Sequence, residues 1–422
     1  MFTVAMLLLA LIAPDARLLD TISVDHVLGH LRAFDSIAGA HGGNRAAGLP
    51  GHDASADYVA ARLREAGYTV ELQPFTFDSF HELGPAVLAG RRAYEGVSTL
   101  RFSGSGEVVG RPRRVGDGCE AGDFRGLGRG EVAMSDRGRC TFRAKAENAA
   151  KAGAAALVVV DGKKPFRGSL EVPQPIPVVG VGPAVGAKAA GLDRVRVVTR
   201  TRNEKATTRN VLAETAAARP GGKVVMVGAH LDSVERGPGI NDNGTGSAAA
   251  LELALLMARA RPDHAVRFAW WGAEEVGLIG SRHYVDRLPA RERARIEVYL
   301  NFDMIGSPNH TYAIYDGDDR AEAAFRGYFA ERGLPYHSTP FRGASDYAPF
   351  LDAGIPAAGL FTGGEQEKTA GEAKRFGGRA GEPKDPCYHQ PCDGLRNVNA
   401  ETLKAASDAM AYVVARYAWP GT

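Results

Sequence analysis

Apolar positions recur at helical spacing over residues 23–34 and again over 54–66, where Gly67 supplies a stop. A glycine-rich stretch, residues 39–51, separates the two. Residues 68–77 (YTVELQPFTF) alternate apolar and polar, as a half-buried strand does. From about residue 84 to 204 the pattern changes to short β-like runs broken by glycines: EVVG, GEVAMSD, AALVVVDG, IPVVGVG and VRVVT. A single amphipathic helix, residues 142–152, interrupts them and stops at Gly153. Beyond residue 208, near-continuous apolar runs (KVVMVGAHLD, VRFAWWG, EVYLNFD) alternate with helical patterns at 247–260 and 278–288, and a last helix is expected over 400–417. Strands that are apolar on both sides must be covered on both faces. The alternation therefore predicts an α/β fold: a mixed, mainly parallel sheet sandwiched by helices, with a mostly-β insert. The expected partition places the α/β domain in residues 17–85 and 205–422 and the insert in 86–204.

Composition sharpens this picture by exclusion. The chain has 422 residues, 45% hydrophobic and 24% charged, which is ordinary for a globular protein and argues against disorder. Lys and Arg number 51 against 49 Asp and Glu, so the net charge is +2 and no basic excess marks a nucleic-acid partner. Residues 1–13 (MFTVAMLLLALIA) are apolar but too few for a membrane span of about 20 residues. They suggest a signal peptide over 1–16, an extracellular protein and no integral membrane segment in the mature chain. No Lys or Arg precedes the apolar run and Pro14 suits a cleavage site poorly, so a hydrophobic N-terminal element is the alternative. The four cysteines fall into two local pairs, Cys119 with Cys140 and Cys387 with Cys392. Two disulfides are expected; a four-thiolate zinc site or unpaired core thiols are the other readings.

Ligands of open α/β sheets gather beyond the carboxyl ends of the strands. Here three successive strand ends carry metal-binding side chains: His230 and Asp232 after VVMVGA, Glu274 and Glu275 after RFAWWG, and Asp303 after VYLNF. The loop GPGINDNG, residues 237–244, lies between the first two and contains Asp242. A second imidazole is expected from His389, held between Cys387 and Cys392 beside Tyr388. Imidazole with several carboxylates suits zinc. Two histidines with three or more carboxylates exceed one tetrahedral ion, so two zinc ions are expected about 3.5–4 Å apart. Neither a Gly-x-Ser-x-Gly elbow nor an HExxH motif occurs, which removes two other hydrolase classes.

The stretches VGAHLDSV, GINDNGTG, AWWGAEEVGLIGS, NFDMIGSPN and DPCYHQPCD, in this order, resemble the M28 family of di-zinc metallo-aminopeptidases. The resemblance implies a zinc aminopeptidase-like fold with one zinc held by His230, Asp242 and Asp303 and the other by Asp242, Glu275 and His389. It implies Glu274 as general base, Tyr388 as the group that stabilises the oxyanion, and Asp232 as the carboxylate that orients the metal-bound histidine. Met304 and Phe361 match positions that line the pocket for the substrate's N-terminal side chain, and ordinary core packing is the competing reading. FRGASDY resembles the family's Gly-x-Ser-Asp-His/Tyr segment; Ala344 stands where some relatives carry arginine, with Arg342 two residues earlier. Gly118-Cys119, Asp123-Phe124, Gly138 to Phe142, Lys145-Ala146 and Ala152 to Ala154 resemble a protease-associated (PA) domain. The implied activity is a secreted aminopeptidase acting on peptides or proteins with large apolar N-terminal residues. A carboxypeptidase or other amidohydrolase on the same scaffold and a catalytically silent binding protein are the alternatives.

Overall fold

The apolar runs that end in ionisable residues form the centre of one sheet. The structure, a computed structural model, describes residues 22–162, 168–217 and 221–420; the leader expected over 1–16 lies outside them. By its own contacts the chain divides into two units, residues 1–75 with 207–422 and residues 76–206.

In the first unit the sheet runs from residues 211–214, the end of the strand Val195–Glu214, through Ala265–Trp271, Val224–His230, Ile296–Asp303, Ala357–Phe361 and Ala313–Tyr315 to His337–Thr339. Its four central strands, from Ala265–Trp271 to Ala357–Phe361, are mutually parallel. The register sets Trp271 against His230 and Asp303 against Phe361, so all four carboxyl ends meet at one edge. Alternate side chains serve opposite faces. Val225, Val227, Trp270, Leu300 and Phe302 pack beneath the helices Val24–Ala40, Thr245–Met257 and Ala400–Ala418. Met226, Trp271 and Tyr299 pack on the other face with Tyr284 and Phe350, whose ring stacks on Tyr299 at 3.8 Å. The helix Thr245–Met257 is apolar nearly all round because core surrounds it.

The helix boundaries moved where packing overrode local signals. The helix expected over 23–34 runs to Ala40, because Ala38 is buried in the core and the turn continues through Gly39. The next begins at Pro50, four residues earlier than its apolar spacing suggested, since proline fits a first helical turn. The polar, glycine-rich stretch 363–383 holds the short helix Ala370–Phe376, started by a capping box between Thr369 and Glu372. An ion pair between Lys384 and Glu372, 2.7 Å, fastens it.

The second unit contains a five-stranded sheet, Ser98–Thr99, Val178–Val181, Ala156–Val160, Val132–Asp136, Pro112–Arg114, parallel except for the first. Besides the expected helix, here Phe142–Lys151, a second runs Pro183–Ala190; its alanines and glycine lack the periodic large apolar residues that would have revealed it. The Cys119–Cys140 disulfide belongs to this unit.

Gly246 lets the helix Thr245–Met257 meet the end of strand Ile296–Asp303. A Cβ there would stand 2.2 Å from the Phe302 carbonyl oxygen and 2.5 Å from Asn243 Oδ1. Gly246→Ala should cost about 1–3 kcal/mol through overpacking. Gly327→Ala, in the helix Asp319–Glu331 with nothing within 4 Å, should instead stabilise slightly through helix propensity. Thermal denaturation of the two variants beside the parent should show midpoints moving in opposite directions.

Candidate metal centre

Three of the four parallel strands that end at the common edge deliver donors to one point. His230 closes Val224–His230 and is 1% exposed; Asp303 closes Ile296–Asp303; Glu274 and Glu275 follow Ala265–Trp271 after a left-handed turn at Ala273. Asp242 comes from the loop before the helix Thr245–Met257, where the Asp242–Asn243 peptide is cis. His389 sits in the six-residue loop closed by the Cys387–Cys392 disulfide, with Cα atoms 5.3 Å apart.

The Asp242 carboxylate faces both imidazoles. Its Oδ1 is 3.2 Å from His230 Nε2, and its Oδ2 is 3.1 Å from His389 Nε2. On the first side His230 Nε2 also lies 3.3 Å from Asp303 Oδ1 and 4.0 Å from Glu274 Oε2. On the other side His389 Nε2 is 3.0 Å from Glu275 Oε2. Donor atoms of His230, Glu274 and Asp303 lie within 4.8 Å of one another, as do those of His230, Asp242 and Glu275.

Electrostatics make this cluster unstable without added positive charge. Burial pushes Glu275 up to about 7, with Asp242 adding to the effect. Burial also raises Glu274 well above the usual carboxylate range, helped by Asp346, Glu275 and Asp303 and opposed by His230. Asp242 moves the other way: burial would raise it, but hydrogen bonds from His230 and His389 hold it below the usual range. Burial would discharge His389, yet hydrogen bonds to Asp242 and Glu275 raise it to about 10. Imidazole nitrogens and carboxylate oxygens thus face one another at 3.0–3.3 Å, donor sets that a metal cation can serve together. The donor set, two imidazoles and acceptor-only carboxylates, fits zinc.

Main-chain hydrogen bonds aim these groups. Asp232, fully buried, accepts the backbone N–H of Glu274 at 3.1 Å and of Glu275 at 3.3 Å. His230 Nδ1 lies 3.1 Å from the carbonyl oxygen of Asp232 and 3.9 Å from its carboxylate. Asp232 therefore acts on the two glutamates directly and on the histidine through its main chain. Ser345 Oγ donates to Asp303 Oδ2 at 2.8 Å. Asp393 accepts the N–H groups of Asn241 and Asp242, and Asp385 accepts from the Asn241 and Asn397 side chains. Sequence reasoning assigned no role to Ser345, Asp385 or Asp393, although Asp385 and Asp393 bracket the segment carrying His389 and their burial was the missing clue.

Over the donors opens a cavity of about 410 Å³, lined by Asp242, Glu274, Glu275, Asp303 and His389 together with Met304, Phe361, Tyr315, Tyr347 and Tyr388. Met304 and Phe361, the expected pocket pair, both reach it. The Tyr388 ring stacks on His389 at 3.8 Å, and burial raises its phenol above the usual range, so it keeps its proton. Arg342 lines the cavity as an exposed side chain.

A buried cluster of imidazoles and carboxylates at the carboxyl edge of a parallel sheet, open to a cleft, defines a metallohydrolase centre on an α/β scaffold. Comparison with known proteins narrows the class. The profile of peptidase family M28 matches residues 210–414, and that of the PA domain matches residues 104–189. An aminopeptidase of Pseudomonas aeruginosa is 42% identical over 93% of this chain and 80% of its own. The probable lipoprotein aminopeptidase LpqL of Mycobacterium tuberculosis is 40% identical over 94% and 85%. Among solved structures, an aminopeptidase from Aneurinibacillus sp. strain AM-1 is similar with a TM-score of 0.81 at 28% identity, covering 96% of this chain and 97% of that one. A zinc aminopeptidase from Bacillus subtilis has a TM-score of 0.72 at 26% identity, covering 95% and 96%. This chain belongs to peptidase family M28 and carries an inserted PA domain.

Asp232→Ala would free both glutamate N–H groups from their shared acceptor. Zinc affinity, measured by competition with a chromophoric chelator, should fall by about 10–100-fold, the usual effect of removing a group that holds metal ligands in place.

Proposed function

We propose that the protein is a two-zinc aminopeptidase that removes large apolar residues from the N-terminus of peptides, with His230, Asp242 and Asp303 holding one ion and Asp242, Glu275 and His389 the other. The observation that carries this reading is the Asp242 carboxylate, which turns one oxygen to each histidine as a bridging ligand would. The names of the similar proteins, aminopeptidases and a zinc aminopeptidase, support the same class. When bound, zinc supplies a Lewis acid for the scissile carbonyl and lowers the pKa of a water.

The chain's own residues account for the remaining work. Glu274 stands at the pocket wall with a raised proton affinity, suited to taking a proton from water and returning it to the leaving amine. Tyr388, protonated and facing the same cavity, can donate its O–H to the oxygen that becomes negative. Asp232 keeps Glu274 and Glu275 in place through their N–H groups. Met304, Ala313, Tyr315, Tyr347 and Phe361 offer apolar surface to a side chain. Both disulfides support an oxidising, extracellular setting. We assign the peptidase domain to residues 17–85 and 205–422 and the PA insert to 86–204.

Release of leucine from leucyl amides by the zinc-loaded protein tests the reaction. A chelator should abolish it, N-acetylation of the substrate should block it, and zinc should restore it. An enzyme that prefers N-acetylated substrates and cleaves at the C-terminus would overturn the aminopeptidase assignment. Glu274→Gln should lower kcat by about 10²–10⁴-fold with unchanged zinc content by elemental analysis. Tyr388→Phe should lower kcat by about 10²–10³-fold with little change in KM, the loss expected for one donor to an oxyanion.

A further inference from the structure

Arg45 is the largest charged side chain with no exposure at all, and nothing in the proposed reaction uses it. It lies in the glycine-rich stretch between the first two helices, far in sequence from every donor. Its Nε donates to the Pro238 carbonyl at 2.9 Å, one terminal nitrogen to the Gly239 carbonyl at 2.5 Å, and the other to the Leu231 carbonyl. Its main chain joins the same loop: Arg45 N–H donates to Ser233 Oγ at 2.9 Å, and Ser233 N–H donates to the Arg45 carbonyl at 3.2 Å. Phe34 covers the guanidinium at 5.1 Å.

These contacts join two of the segments that supply metal donors of the first side, those bearing His230 and Asp242. Leu231 lies between His230 and Asp232, and Gly239 lies three residues before Asp242. Gly239 has φ +61°, and a Cβ there would stand 2.4 Å from both the Asp242 carbonyl oxygen and Ser233 Cβ, so this turn admits only glycine. A planar fork that grips three carbonyls on both segments fixes their separation in a way that a single ammonium cannot.

The charge has a second consequence. Burial lowers the guanidinium to about 10, with Asp232, Asp393, Asp242 and Glu275 opposing that shift, so it remains charged at neutral pH. Its hydrogen bonds are spent on carbonyl groups, which leaves the oxygens of Asp242 facing the histidines. Arg45 thus adds positive charge beneath the acidic cluster without competing for donor atoms.

We propose that Arg45 is a positioning residue for the metal centre: its guanidinium clamps the segments bearing His230 and Asp242 at the spacing zinc requires. The inference rests on the metal-centre reading above. Arg45→Lys keeps the charge and loses the fork. Three measurements test it: zinc affinity by chelator competition, the visible spectrum of the cobalt(II)-loaded protein, and the melting temperature of the metal-free protein. The expected result is a tenfold or greater loss of zinc affinity with an altered cobalt spectrum. Unchanged zinc affinity and cobalt spectrum would overturn the proposal, as would a lower melting temperature alone, which marks a merely structural role. If Arg45→Lys fails to fold, Arg45→Gln, which is uncharged and so less costly to bury, keeps an amide donor but cannot reach all three carbonyls. It should weaken zinc binding several-fold with the same change in spectrum, and parental values would sink the clamp. Failure of the parent protein to bind zinc would refute the metal-centre reading itself; a zinc-binding parent with an unaffected Arg45→Lys variant would refute only the clamp.

Discussion

Mutual repulsion among Asp242, Glu274, Glu275 and Asp303 is the constraint on which the rest of the structure depends. Burial and the neighbouring carboxylates raise the proton affinity of Glu274 and Glu275, while hydrogen bonds from the two histidines hold Asp242 below the usual range. Such a cluster is costly unless cations occupy its centre. Two imidazoles supply part of the charge, and Asp242 divides its oxygens between them. The arrangement therefore favours a bound cation at this one edge of the sheet.

Holding like charges together needs a frame that does not yield. The four parallel strands provide it, because their register is fixed by side chains buried on both faces and a slip of one residue would exchange the faces. His230, Asp303 and the Glu274–Glu275 pair inherit that rigidity from the strand ends. Asp242 does not. It sits in an irregular loop, and polar contacts replace the ladder there: Asp393 receives its N–H, Asn243 bridges to the Phe302 carbonyl and the Met304 N–H, and Arg45 grips the preceding turn.

This division explains what could be read from the chain before its structure. Apolar runs such as VVMVGA and RFAWWG disclose central strands, and the ionisable residues just beyond them disclose the edge, since both follow from local pattern. His230, Asp232, Glu274, Glu275 and Asp303 stand out for that reason, Asp242 and His389 come from the glycine-rich loop and the cysteine-bracketed segment, and the resemblance supplies Met304 and Phe361. Arg45, Ser345, Asp385 and Asp393 do not stand out, because their meaning lies in burial and in partners 42 to 194 positions away. A lone arginine in a glycine-rich loop looks solvated until the fold encloses it. Boundaries failed for a related reason: the core reaches Ala38, and only tertiary contact can tell a helix to continue through Gly39.

His389 is the donor least protected by this frame. It alone among the five proposed ligands lies on neither a strand end nor the loop gripped by Arg45, and its side chain is 36% exposed, against 1% for His230. It also adopts φ +57°, a left-handed conformation that favours glycine. Local ties hold it there: the Cys387–Cys392 disulfide closes the loop, Gln390 N–H donates to the Cys387 carbonyl, and Cys387 N–H donates to Asp385 at 2.8 Å. Asp385 also receives the Asn241 side chain, one residue before Asp242. Asp242 and the exposed His389 are thus referred to one buried aspartate. The two sides of the centre are thereby coupled through protein as well as through Asp242, and a disturbance of Asp385 reaches both.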